Sequence, residues 1–364
     1  MLNGSFAKEG YDWWWHSFTG INEATGEEKP FFIEFFTCNP ALGGKDPVLG
    51  QLPENKVKGI KPSYLMIKAG WWGEDAAQLH KFIAWDDVEI HSKAPYSVSS
   101  GVFFASDISL KGSIEISREE SLAHPEYMCG YGTMSWNLRI EKKIAYNVGY
   151  GASRFFRAIK AFEMYWHAEG MKSLYEGEIF LNGQRYLVKP ETSYGYADKN
   201  WGRGFTSPWV WLSSNHLTSQ ITGKKLENSV FDIGGGRPKV YFVALERKLL
   251  GGFYYEGREY EYNFSKFWTM PKTEFIATET EDKIIWHVRQ EKRRSVMISD
   301  IECFKKDMLL VNYEEPDGSK RHNRLWNGGN GTGVIKLFEK NGKKEKVIDV
   351  ITAQNIGCEY GEYD

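Results

Sequence analysis

The sequence predicts an all-β fold, on three observations. Short runs rich in Val, Ile, Thr and aromatic residues recur along the 364 residues, and many are bounded by Gly, Pro, Asp or Asn. Aromatic side chains make up 15% of the chain and Leu is sparse; large flat side chains suit pleated surfaces. Two such runs meet at Asn182-Gly183, a pair whose tolerance of positive φ favours a type I′ hairpin turn.

Taken in order, the first strand signals are residues 30–36, running into Asn39-Pro40, and residues 64–68, closed by Gly70. Residues 81–85, 97–105 and 113–117 follow. Residues 153–168 alone argue for helix, because Phe155, Ile159, Phe162 and Trp166 fall at helical spacing. Phe162, Met164 and Trp166 also alternate, so the period is ambiguous there. The hairpin at 178–188 comes next, and Glu256-Gly257 within 252–262 repeats its pattern. Pro316-Asp317-Gly318-Ser319 is a third turn of this kind. Later strands are expected at 240–247, 283–290, 295–303, 333–340 and 347–353. Many short strands with regular turns point to barrels or sandwiches, and closure removes exposed edges. The length suggests two domains. We place them at 1–180 and 181–364.

Charge and motifs narrow the function. Net charge is −2 and the Lys and Arg residues are dispersed, so no nucleic-acid partner is expected. Residues 1–8 lack a charged and then apolar leader, and no run is long enough for a transmembrane helix. Cys38, Cys129, Cys303 and Cys358 are widely spaced, which fits free thiols in the cytoplasm and offers no metal-ligand spacing. The glycine clusters at 234–236 and 328–331 lack the Lys-Ser/Thr ending of a phosphate loop. No acyl-transfer, zinc-hydrolase or dinucleotide fingerprint is present.

One segment is chemically dense: Tyr194-Gly195-Tyr196-Ala197-Asp198-Lys199-Asn200-Trp201-Gly202. Trp209-Val210-Trp211 and Asn215-His216 follow it. In an extended strand, Tyr196, Asp198 and Asn200 share one face, and so do Trp209 and Trp211. If that face is buried, a carboxyl stands among aromatic rings and is held protonated. Such an acid suits proton transfer to an alkene, with the rings stabilising the cation. The same cluster also suits a hydrogen-bonded barrel corner, with Gly202 and Gly204 permitting the turn.

Residues 196–202 resemble the Tyr-Ala-Glu-Lys-Asn-Trp-Gly signature of the tocopherol cyclase-like family. Gly204-Phe205 and Trp209-Val210-Trp211 match its continuation. Asp198 replaces the cyclase Glu, as in the related carotenoid 1,2-hydratases, and Thr206 stands where the family usually has Pro. Weaker echoes lie at 10–16, 30–40 and 333–339. The resemblance implies two lipocalin-like antiparallel β-barrel or sandwich domains with a ligand pocket near their junction. It implies a cofactor-independent cyclase or hydratase acting on a hydrophobic prenylated or terpenoid-like molecule.

On that reading Asp198 is the acid, with Tyr196 and His167 beside it as candidate catalytic residues. Trp201, Asn200, Trp209, Trp211, Trp166 and Asn215 are expected to bind substrate. His216 and the run Trp13-Trp14-Trp15-His16 are further candidates for a core or pocket. The alternative is a non-catalytic carrier of a hydrophobic small molecule. No cofactor or metal is called for, and the sequence leaves the oligomeric state open.

Overall fold

The computed structural model describes residues 5–146, 162–237, 239–240, 243–244, 247–266, 269–318 and 321–362. Regular structure among them is almost entirely antiparallel strand. The helices of more than one turn are short: Pro53–Lys58 and Arg118–Ala123. The fold is all-β, as the alternation and turn chemistry predict.

The chain divides into two compact units. The first contains Met1–Ala145, Met164–Phe205 and Val311–Asn323; the second contains Tyr146–Glu163, Thr206–Leu310 and Arg324–Asp364. The expected boundary at 180/181 is therefore displaced. It falls in the hairpin of Met164–Leu181 with Gln184–Val188, which pairs wholly inside the first unit's sheet. A hairpin cannot be divided without breaking its ladder, so the chain leaves that unit only after Phe205.

The first unit is built on a twelve-stranded sheet. Its strands open with β1 (Tyr11–Asn22), β2 (Glu28–Cys38), β3 (Tyr64–Trp71) and β4 (Ala77–Ile83). Then come β5 (Glu89–His91), β6 (Ser97–Ser100), β7 (Phe103–Ser106) and β8 (Ser109–Ile116). The last are β9 (Gly132–Tyr146), β10 (Met164–Leu181), β11 (Gln184–Val188) and β12 (Gly195–Gly202). The order is β4-β3-β2-β1-β11-β10-β9-β8-β7-β6-β5, with β12 bridging β1 and β10. One core, including Trp14, Phe35, Ile67, Leu79, Leu110, Trp136 and Ile179, is lined by alternate residues of nearly every strand. A sheet that encloses one core on one face must curl around it. Just ahead of β9, the Gly130 N–H donates to the Gln78 carbonyl of β4 at 2.8 Å.

The second unit's sheet runs β19-β18-β15-β13-β25-β24-β22-β21-β20. In chain order these are β13 (Trp209–Ser214), β14 (His216–Ser219), β15 (Val230–Gly236), β16 (Lys239–Val240) and β17 (Val243–Ala244). They continue as β18 (Lys248–Tyr255), β19 (Arg258–Tyr262), β20 (Lys272–Glu279), β21 (Lys283–Lys292) and β22 (Ser295–Phe304). The last strands of this sheet are β23 (Met308–Glu314), whose residues from Val311 on belong to the first unit, β24 (Arg321–Asn341), which belongs to the second unit from Arg324 on, and β25 (Lys344–Gly361). β14 and β23 pair with β25 and β24, while β16 and β17 pair only with each other. Its core contains Val210, Leu212, Phe253, Trp286 and Ile335.

The turn residues act as the sequence requires. Asn182 and Gly183 take φ of 48° and 82° between β10 and β11, and Glu256 and Gly257 take 43° and 90° between β18 and β19. The helix expected at 153–168 is corrected where it is described: Met164 onward is strand β10. Of the two periods this segment carries, the alternating one prevails, because β12 and β11 offer its backbone a ladder. Residues 153–161 lie outside the described residues.

Candidate functional site

Strand β1 is flanked by β2 and by β12, which fixes the register of the dense motif. Trp15 pairs with both Glu34 and Asp198, and Trp13 pairs with both Phe36 and Asn200. β3 and β4 extend these rows. Reading across neighbouring strands, one row is His80, Lys68, Glu34, Trp15, Asp198. The next is Phe82, Met66, Phe36, Trp13, Asn200, Trp166. Period-two alternation puts both rows on the same side of the sheet, opposite the core.

Asp198 is 7% exposed. Its Oδ2 accepts from Trp166 Nε1–H at 2.7 Å and from the Tyr196 hydroxyl at 3.2 Å. Both donors are neutral, so they orient the carboxyl without adding positive charge. Asn200 is fully buried and its Oδ1 accepts from the Tyr11 hydroxyl at 2.9 Å. Aromatic rings lie along the same rows. Trp15 stacks on Phe32 with centroids 5.0 Å apart, and Trp13 stacks on Tyr313 at 5.5 Å. The structure therefore brings Tyr196, Asp198, Asn200 and Trp166 together.

Lys199 and Trp201 point to the other side. Lys199 Nζ lies 2.6 Å from each Asp12 carboxylate oxygen and 4.2 Å from the Trp14 ring centroid. Trp201 stacks on Tyr165 at 5.5 Å. Trp201 is thus separated from Asp198 by the sheet, against the expectation that it shapes the same surface. His167 pairs with Lys199 in the β10–β12 ladder and falls on that opposite side too. Adjacent residues of a strand cannot share a face, and this removes both from Asp198. On that side His16 Nδ1 meets the Tyr175 hydroxyl at 2.8 Å, and the same hydroxyl donates to the Tyr196 carbonyl at 3.0 Å. Burial, aided by Lys142, lowers the His16 pKa to about 3, so it stands neutral.

Trp209, Trp211 and Asn215 belong to the second unit. Trp209 Nε1–H donates to Glu359 Oε2 at 2.6 Å, and Trp211 Nε1–H donates to Asp232 Oδ1 at 3.1 Å. Asn215 is buried between β13 and β14, while His216 Nδ1 lies 2.6 Å from Asn355 Oδ1.

Sequence reasoning missed the charged row. Glu34 and Lys68 are fully buried and lie directly opposite each other. Lys68 Nζ is 3.3 Å from Glu34 Oε2, which also accepts from the Tyr313 hydroxyl at 2.9 Å. The ammonium stands 3.4 Å from the Tyr313 ring centroid. Burial pushes the Glu34 carboxyl up, and Lys68 and Tyr313 draw it partly back. Glu34 in the run Phe31–Phe36 and Lys68 in the run Tyr64–Ala69 were the available signal: single charges inside apolar strands.

Among the described residues, no group of three or more His, Cys, Asp or Glu side chains is placed to hold a metal ion. No helix among them is long and apolar enough to cross a membrane. Two open depressions, of about 430 and 540 Å³, take in none of the sequence-predicted site residues.

Fold and site together define an all-β protein of two antiparallel units whose buried carboxyl is held by an indole and a phenol. The chain belongs to the tocopherol cyclase-like family, whose sequence model matches residues 72–362. Two relatives are a probable chloroplastic tocopherol cyclase of Oryza sativa subsp. japonica and a chloroplastic tocopherol cyclase of Zea mays. Each is 31% identical over 105 residues, 29% of this chain and 21% of the relative. The matched stretch thus spans about a fifth of those relatives' length.

Solved structures similar to this chain include CghA with Sch210972, at 10% identity and a TM-score of 0.49, covering 98% of this chain and 89% of that one. Another is a putative AttH from Nitrosomonas europaea, at 10% and 0.47, covering 95% and 93%. A third is kievitone hydratase from Nectria haematococca, at 12% and 0.45, covering 100% and 93%.

Proposed function

We propose that this protein catalyses cyclisation or hydration of a hydrophobic, prenylated or terpenoid-like small molecule, with Asp198 as the general acid. The observation that carries this reading is the Asp198 carboxyl, 7% exposed and held at Oδ2 by two neutral donors beside rows of aromatic rings. Neutral donors fix the direction of the acid. The Asp198 proton goes to one carbon of an alkene, and the positive charge develops on its neighbour. Indole faces such as Trp13, Trp15 and Trp166 stabilise that charge by cation–π attraction. Ring closure follows if a substrate hydroxyl attacks and hydration if water does; in either case the attacking oxygen loses its proton as the C–O bond forms, and that proton restores the Asp198 acid. This chemistry needs no cofactor. Membership of a cyclase-like family supports the reaction class. The four cysteines are unpaired, which fits a reducing compartment such as the cytoplasm.

The test is native mass spectrometry of the full chain and its Asp198→Asn variant, before and after organic extraction. A co-purifying isoprenoid that the parent protein converts and the variant only holds is the expected result. If both return the same ligand unchanged, the protein is a carrier and the Trp166–Asp198–Tyr196 cluster is a structural tie.

A further inference from the structure

The glycine cluster at 328–331, which is no phosphate loop, lies on β24 between β22 and β25. Each of those neighbours carries a core cysteine of the second unit: Cys303 on β22, 2% exposed, and Cys358 on β25, fully buried. A Cβ placed on Gly328 would stand 3.1 Å from Cys303 Sγ and 3.3 Å from Cys358 Sγ. One placed on Gly331 would stand 3.4 Å from Cys358 Sγ. The Gly328 position is also 2.9 Å from Cγ of Met308, itself buried. Two thiols and the thioether side chain therefore border one small space, and the glycine keeps it clear.

This thiol pair cannot close into a disulfide without moving its strands. Two strand spacings separate β22 from β25, about 9–10 Å between backbones. A disulfide needs Cα atoms within about 7 Å and sulfurs about 2.05 Å apart. An ion between the sulfurs needs no such approach, because each metal–sulfur bond is itself about 2.3 Å long.

We propose that Cys303 and Cys358, with Met308 as third ligand, form a binding site for a soft monovalent metal ion of the Cu(I) class. Thiolate and thioether sulfurs select such an ion. Zinc asks for four ligands, and the acidic residue next in sequence, Glu359, is turned to Trp209 and Asn327. The unbranched Met308 side chain adapts its sulfur to the ion. Binding replaces two S–H bonds with two Cu–S bonds and releases two protons. Burial, and then the Cys303 thiol beside it, hold the Cys358 thiol well above its ordinary pKa. The empty site is therefore a dithiol, and its affinity rises with pH. Met308 directly follows the one-turn helix Lys305–Asp307 at the end of β22, so the way in lies under that turn. None of this depends on the role of Asp198.

The experiment titrates the reduced full chain, without oxygen, with Cu(I) held by bicinchoninate. One equivalent is expected to pass to the protein, with new sulfur-to-copper absorption in the near ultraviolet. Cys303→Ala and Cys358→Ala are each expected to lower the affinity by more than about a hundredfold, beyond what loss of a supporting outer-shell partner costs. Met308→Leu, which conserves volume, loses less than either. Cys129→Ala, in the first unit, binds as the parent protein does. Failure of the parent protein to take Cu(I) from bicinchoninate overturns the site. So does uptake that survives both Cys303→Ala and Cys358→Ala. If those variants do not fold, X-ray absorption of the copper-loaded parent protein decides: sulfur neighbours alone support the site, and nitrogen or oxygen neighbours overturn it.

Discussion

The same pair of side chains, an indole and a carboxyl, is used in both units with different surroundings. In the first, Trp166 holds Asp198 beside rows of large side chains: Trp13, Trp15, Phe32 and Phe36. In the second, Trp211 and Trp209 hold Asp232 and Glu359, and the strands alongside are rich in glycine. Trp211 pairs with Gly234 on one side, and a Cβ placed on Gly357 would come within 2.3 Å of its ring. The indole lies against bare backbone and fills its own space. Glu359 is occupied at both oxygens, by Trp209 at 2.6 Å and by Asn327 Nδ2 at 2.5 Å. The second arrangement is a closed tie. The first leaves Glu34 Oε1 and the Trp15 N–H without partners among the described residues. An indole–carboxyl pair becomes a candidate for chemistry through what its neighbouring rows leave incomplete.

Exchanging the carboxyls for amides separates the two uses most sharply. Asp198→Asn is expected to slow conversion of the co-purifying ligand by about 10²–10⁴-fold, the usual contribution of a positioned acid. Glu359→Gln is expected to lower thermal stability and leave conversion by the folded protein unchanged. Single-turnover assays beside calorimetric melting read both. A large rate loss from Glu359→Gln would erase the contrast.

Trp211→Ala is expected to destabilise the protein by about 3–5 kcal/mol, since no glycine neighbour can refill the space of an indole. Urea denaturation followed in the full chain measures this. A loss under 1 kcal/mol would mean that Trp211 is not packed as a core residue.

The first unit also carries a pH response of its own. Burial raises the Glu314 pKa to about 7, although the Tyr64 hydroxyl at 3.1 Å draws it down. A folded-state pKa above the unfolded value favours the folded state while the group is protonated. That contribution, about 3 kcal/mol, is complete below about pH 4.5 and is lost as pH rises through about 7. His16 works in the other direction. Its lowered pKa makes the folded state lose stability as pH falls from about 6.5 towards 3. Glu314→Gln is expected to flatten the decline between pH 4.5 and 7, while the acid-side loss stays. Melting temperature against pH for both proteins decides this, and an unchanged slope between pH 4.5 and 7 would count against it.

The smallest effect is expected from Gly357→Ala. One methyl group against the Trp211 ring must displace it, at about 1–3 kcal/mol. A neutral result would show that the ring shifts freely.

Much of the local structure was legible in the sequence. Asn182-Gly183 and Glu256-Gly257 announced their turns, because few residue pairs accept two positive φ angles in succession. Alternation placed Tyr196, Asp198 and Asn200 on one face, and the same rule, carried to Trp201, separates it from them. At 164–168 both periods fitted, and only the pairing partner could choose between them.

By itself, then, the sequence determined the fold class, the turns and which residues of the motif strand face together. Those properties follow from steric limits acting over a few residues. The tertiary structure alone decided that Glu34 and Lys68 join the row of Asp198 with Tyr313 set against them, and that Trp209 and Trp211 have carboxyl partners of their own. Register between strands separated by tens or hundreds of residues depends on the whole sheet closing around its core. No local preference of the chain carries that information.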